Sequence, residues 1–150
     1  MRLAVASDHA GFPLKQRVVA WLREAGYEVD DLGPESVDSV DYPDYAHRLC
    51  GDLVAGKAER GVLICNSGIG MSMTANRHPG VRAALCLFPR MAWYARHHND
   101  ANVLVMGGGI TAPFTAMEIL RTFLEEDFDG GRHQRRVGKM DPGCGGSEQD

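Results

Sequence analysis

No stretch of about 18 consecutive apolar residues occurs in this 150-residue chain, which excludes a membrane-spanning helix. Its four cysteines, Cys50, Cys65, Cys86 and Cys144, show neither C-x-x-C spacing nor a disulfide framework pattern. Free thiols in a reducing, cytoplasmic setting follow. Positive charge is scarce as well. Sixteen Lys and Arg against twenty Asp and Glu leave a net charge of −4, so nucleic acid is not an expected partner. Any anion must be held locally, and Arg132, His133, Arg135 and Arg136 form the one dense basic cluster. The N-terminal Met1 to Ala6 begins like a short signal peptide, but Asp8 and His9 interrupt it too early, and it reads as a first strand. No internal repeat is visible.

What is present suits one domain, with 44% hydrophobic residues to build its core. Short apolar runs predict strands at Leu3–Ala6, Tyr27–Leu32, Val62–Ile64, Val81–Leu87 and Val103–Met106. Between them, apolar residues recur at helical spacing: Leu14, Val18, Trp21 and Leu22; then Tyr45, Leu49, Leu53 and Val54 behind Pro43. Further helices are expected at about 69–76 and 89–97, and from Thr111 and Pro113 onward with Met117, Leu120 and Leu124 on one face. Strands apolar on both faces and separated by helices predict a five-stranded parallel sheet covered on both sides. Residues 1–140 form the expected domain, and the Gly-rich, polar segment from Asp141 reads as a disordered tail.

Ligands in such sheets bind beyond the carboxyl ends of the strands, where Asp8, His9 and Cys65 fall. Cys65-Asn66-Ser67-Gly68-Ile69-Gly70 places a thiol at a strand end, ahead of a glycine-rich turn whose N–H groups converge. Such a turn favours a thiolate and stabilises an oxyanion, the two things an aldose isomerisation needs: a base to take the C2 proton, and donors to hold the enediolate. A buried cysteine in an ordinary turn has the same sequence. Asp8 and His9 could bind a hydroxyl and a phosphate, or be a helix cap beside a surface histidine. His97 and His98 diverge as neighbours and show no ligand-spaced partner for a metal; one could serve as a general acid, or both could simply be solvated at a helix end. Arg132 and Arg136, four apart, share a helical face and could clamp a phosphate, or be a solvated basic end.

Taken together, Ser7-Asp8-His9-Ala10-Gly11-Phe12, Asp41-Tyr42-Pro43, Leu63-Ile64-Cys65 with Gly68-Ile69-Gly70, His98 through Leu104, and Gly130-Gly131-Arg132-His133-Gln134 with Arg136-Val137 resemble the ribose-5-phosphate isomerase B family, which includes galactose-6-phosphate isomerase subunits. The motifs keep the family's order and spacing to about residue 139. The resemblance implies a Rossmann-like three-layer α/β/α subunit. It also implies a homodimer or dimer of dimers with interfacial sites, a sugar phosphate as ligand, and neither metal nor organic cofactor. By position, Cys65 would be the base, Ser67 would assist proton movement, and Gly68, Ile69 and Gly70 would form the anion hole beside Asn66. His98, with Asn99, would open the furanose ring from the partner chain. Asp8 and Tyr42 would contact the sugar, and His9, Arg132 and Arg136 the phosphate.

Three positions depart from the family pattern. Ser67 stands for a common Thr and keeps the hydroxyl. Asn66 replaces a common Gly, and Gly109 stands where relatives often carry an Arg of the phosphate subsite. A hexose phosphate or an unphosphorylated aldose therefore stays open as substrate. Other chemistries fit less well. A cysteine phosphatase wants an Arg six residues past the thiol, where Met71 stands. A nucleotide-sensing or sugar-phosphate-binding module of the dinucleotide type wants a third glycine, where Met73 stands.

Overall fold

A computed structural model describes residues 1–143. The strands are β1 (Arg2–Ser7), β2 (Glu28–Asp31), β3 (Arg60–Cys65), β4 (Ala83–Leu85) and β5 (Val103–Gly107). The helices are α1 (Phe12–Glu24), α2 (Tyr42–Val54), α3 (Ile69–Ala75), α4 (Pro89–Asn99), α5 (Pro113–Glu125) and α6 (Arg132–Val137). The strands pair in parallel throughout, in the order β2-β1-β3-β5-β4.

Alternation along the central strands builds two cores. Leu3 and Val5, Val62 and Ile64, and Leu104 and Met106 pack under α1, α4 and α5. Their neighbours Ala4, Ala6, Leu63, Cys65, Val103 and Val105 point the other way, under α2 and α3. The result is the expected α/β/α sandwich, and both faces must be apolar because both are covered. β4 is shorter than the run Val81–Leu87 suggests. It is an edge strand with one neighbour, and Arg82 is drawn off by Asn102 Oδ1, the Asp100 carbonyl and the Asp100 carboxylate.

Pro is the first or second residue of α1, α2, α4 and α5, where its missing N–H costs no helical bond. α1 leaves β1 toward one face and α3 leaves β3 toward the other. In sheets with such oppositely directed connections, ligands bind in the crevice at the carboxyl ends of the two strands concerned, here β1 and β3. Cys144 and most of the expected tail lie outside the described residues.

Candidate active site

The crevice is built by close backbone approach. Asp8 N–H donates to the Ile64 carbonyl at 3.1 Å, extending the β1–β3 ladder by one residue. Gly11 has no room for a Cβ, which would overlap the Ile64 carbonyl, so the loop after β1 can lie against β3 only with glycine there. Asp8 Oδ1 accepts the Gly11 N–H at 2.9 Å, leaving Oδ2 free, and the residue is 7% exposed. His9 Nδ1 accepts the Val40 N–H at 3.2 Å, so in the neutral ring Nε2 bears the proton.

On the other side, Gly68 N–H donates to Cys65 Sγ at 3.1 Å, a donor aimed at any negative charge on the sulfur. That turn needs glycine, since Gly68 has φ 81°, in the left-handed region. Ser67 Oγ accepts the Ile69 N–H at 3.2 Å, which leaves its own proton free to donate. The N–H groups of Gly70 and Met71 lie in the first turn of α3, where the helix itself supplies no acceptor. Tyr42 lies over Gly70: a Cβ there would sit 2.5 Å from Cζ and 2.9 Å from the hydroxyl. Cys65, Asp8, Ser67, Tyr42 and the Gly68–Gly70 turn are thus gathered at one end of the sheet.

Behind them runs the loop after β5. Gly108 and Gly109 N–H groups donate to the Cys65 and Asn66 carbonyls at 2.8 and 2.9 Å. A Cβ on Gly107 would sit 2.7 Å from the Ser67 backbone, and one on Gly109 would overlap Asn66 Oδ1. Asn66 and Gly109, the two larger departures from the family pattern, are therefore direct neighbours. Neither loop carries Lys or Arg.

The remaining expected residues lie elsewhere. α4 runs back from the carboxyl edge, so His98 and Asn99 end near the start of β3 and β5. There Arg96 bonds the Ala101 carbonyl, and Gly61 bonds that of Asn102. The six residues of β3 separate that end from Cys65 by about 17 Å. α6 joins His98 there: the rings of His98 and His133 stack at 4.2 Å and 9°. Arg132 and Arg136 are exposed on α6. Burial, then His98, Arg132 and Arg136, push the His133 imidazole below its usual range.

His97 bonds Glu126 Oε2 and Asp129 Oδ1, each at 2.6 Å, and its pKa is raised, chiefly by Glu126. The expectation that the histidines lack ligand-spaced partners needs correcting. His98, Asp129 and His133 bring one ligand atom each within 4.8 Å of one another. No local spacing could reveal this, because the loop after α5 folds Asp129 back onto α4. The two rings lie nearly parallel, and Arg132 and Arg136 add positive charge beside His133, which opposes a cation there.

Cys50 and Cys86 are free and buried, and burial alone pushes their thiols up to about 11 and about 12. Cys65 retains 5% exposure, and Asn66 and Ile69 in its loop are exposed. Three clefts formed by the chain alone, of about 350, 280 and 520 Å³, have other linings. Among the described residues, no helix is long and apolar enough to cross a membrane.

A family model described as ribose/galactose isomerase matches residues 3–140. Ribose-5-phosphate isomerase B of Escherichia coli is 41% identical over 136 residues, covering 91% of each chain. The solved ribose 5-phosphate isomerase of Thermotoga maritima is 51% identical, with TM-score 0.92 over 93% of this chain and 97% of that one. That of Clostridium thermocellum is 42% identical, with the same TM-score, over 93% and 95%. A match spanning nearly all of the sheet, both core layers and the crevice loops places this chain in the ribose/galactose isomerase family.

Proposed function

We propose that this chain is an aldose–ketose isomerase that interconverts ribose 5-phosphate and ribulose 5-phosphate, with Cys65 as the base. The observation that carries the role of Cys65 is the Gly68 N–H aimed at its sulfur, beside Asp8 and a turn with free N–H donors. The thiolate takes the C2 proton of the open-chain aldose. The electron pair moves through the C1–C2 bond onto the carbonyl oxygen, and the N–H groups of the Gly68–Gly70 turn, joined by that of Met71, hold the enediolate. The proton on O2 passes to O1, relayed by Ser67, and the proton held by Cys65 returns to C1, completing the ketose with no net gain or loss of atoms. Asp8 and Tyr42 contact sugar hydroxyls, Asn66 adds a substrate-facing side chain beside the base, Ser67 assists proton movement, and the phosphate is held by His9 together with Arg132 and Arg136 of a second copy.

The ring-opening acid is His98 of a second copy, supported by Asn99, because the fold separates the two ends of the sheet within one chain. Exposed Ile69, Met73, Leu87, Phe88, Ile110 and Phe114 ring the carboxyl end and suit an apolar interface. We read residues 1–140 as one catalytic domain of a cytoplasmic homodimer or dimer of dimers. The lack of Lys and Arg in the loops after β3 and β5 leaves a second reading, an unphosphorylated aldose or a hexose phosphate.

Turnover of four-, five- and six-carbon aldoses, with and without phosphate, discriminates these. Ribose 5-phosphate should be turned over best. Cys65→Ala should lower kcat by about 10²–10⁴-fold or more while substrate still binds. Turnover surviving in Cys65→Ala removes the thiol from this role.

A further inference from the structure

The loop after β5 meets the loop after β3 through glycines, and at one point a side chain fills the space that a missing one leaves. Asn66 is exposed, and its carboxamide has no hydrogen-bond partner among the described residues. It lies across Gly109 so closely that a Cβ there would overlap Oδ1 and sit 3.0 Å from Cγ. The backbones are pinned together beneath it, by Gly109 N–H on the Asn66 carbonyl at 2.9 Å and Gly108 N–H on the Cys65 carbonyl at 2.8 Å. The backbone of Asn66 is thereby fixed, and its short side chain has Gly109 as its seat. An uncommitted amide, one residue from the thiol and with no cation in either loop, offers one donor group and one acceptor to a neutral partner.

We propose that Asn66 and Gly109 act as one specificity element. The carboxamide, seated on Gly109, binds a sugar hydroxyl beside Cys65, and Gly109 is a positioning residue that acts only through Asn66. This rests on the isomerase reading above and adds to it the neutral character of the substrate group at this point.

The test is a double-mutant cycle with Asn66→Gly, Gly109→Ala and both together. It is read in KM and kcat on ribose 5-phosphate and in the side-chain amide NMR signal of Asn66. Asn66→Gly should raise KM by up to about tenfold with little change in kcat, as expected for a hydroxyl contact kept from ground to transition state. Gly109→Ala should do much the same and shift the Asn66 amide signal, because its methyl group displaces that side chain. Added to Asn66→Gly, it should change far less, since only the 3.2 Å approach of its Cβ to the backbone carbonyl of residue 66 remains. The isosteric Asn66→Asp separates ligand chemistries: a hydroxyl still finds an acceptor and KM rises little, whereas a phosphate at this spot would be repelled and KM would climb far more steeply. Equal losses from Gly109→Ala in both backgrounds, an unchanged KM in Asn66→Gly, or a steep rise in Asn66→Asp would each overturn the proposal. If the unmodified chain turns over no aldose, the isomerase reading fails. The amide signal then decides separately: a shift in Gly109→Ala keeps the seating, and none on adding ribose 5-phosphate ends the specificity role.

Discussion

The three cysteines among the described residues differ in what surrounds their sulfur. Cys50 and Cys86 are enclosed by the two apolar cores, where a thiolate loses its hydration and gains nothing in return; their pKa values climb to about 11 and about 12. Cys65, 5% exposed, also borders the core under α2 and α3, but it ends a strand at a turn that points an N–H toward its sulfur. Reaction with a thiolate-selective alkylating agent at neutral pH should therefore modify Cys65 well before Cys50 and Cys86, with ribose 5-phosphate protecting it. Mass-spectrometric mapping of the label checks this. Preferential labelling of Cys50 or Cys86 would contradict it. This distinction was partly legible in the sequence. A thiol followed by Gly68 and Gly70 announces a turn, whereas the burial of Cys50 and Cys86 depends on which helix face or loop meets the sheet.

The C-terminal turn of α4 shows how an element is held by partners distant in sequence. Buried Arg96 bonds the Ala101 carbonyl, the Glu126 carbonyl and the Asp100 carboxylate, and Asp100 closes the helix at φ 44°. His97 ties the same turn to Glu126 and Asp129 and stacks on Trp93 at 3.9 Å. Because these carboxylates raise its pKa above the ordinary 6.5, the charged ring stabilises the fold. The contribution is complete below about 6.5 while the carboxylates remain ionised, and it fades as pH rises through the raised value. The Tm advantage of the wild type over His97→Gln should be largest on the acid side and shrink toward alkaline pH. An advantage that grows with pH would show the assignment to be wrong. The elements themselves were readable from apolar runs and from prolines at helix starts, since those patterns are local. The overlong expectation for β4 arose because Val81, Cys86 and Leu87 are apolar without being strand, which pairing alone decides.

At the scale of the molecule, the decisive fact is that the fold sends Cys65 and His98 to opposite ends of the sheet. Strand-end motifs made the Cys65 crevice legible, because parallel sheets bind ligands there. The neighbourhood of His98, Asp129 and His133 was not legible, since it depends on how the segment after α5 returns to α4. A site needing both Cys65 and His98 must then be shared by two copies, and a two-fold arrangement creates two such sites at once. Subunit complementation tests this most directly. Cys65→Ala and His98→Ala chains, each inactive alone on ribose 5-phosphate, are unfolded together, refolded as a mixture and assayed. In mixed dimers one site pairs an intact Cys65 with an intact His98, so random pairing should restore about a quarter of wild-type activity. A mixture as inactive as its components would contradict the shared site.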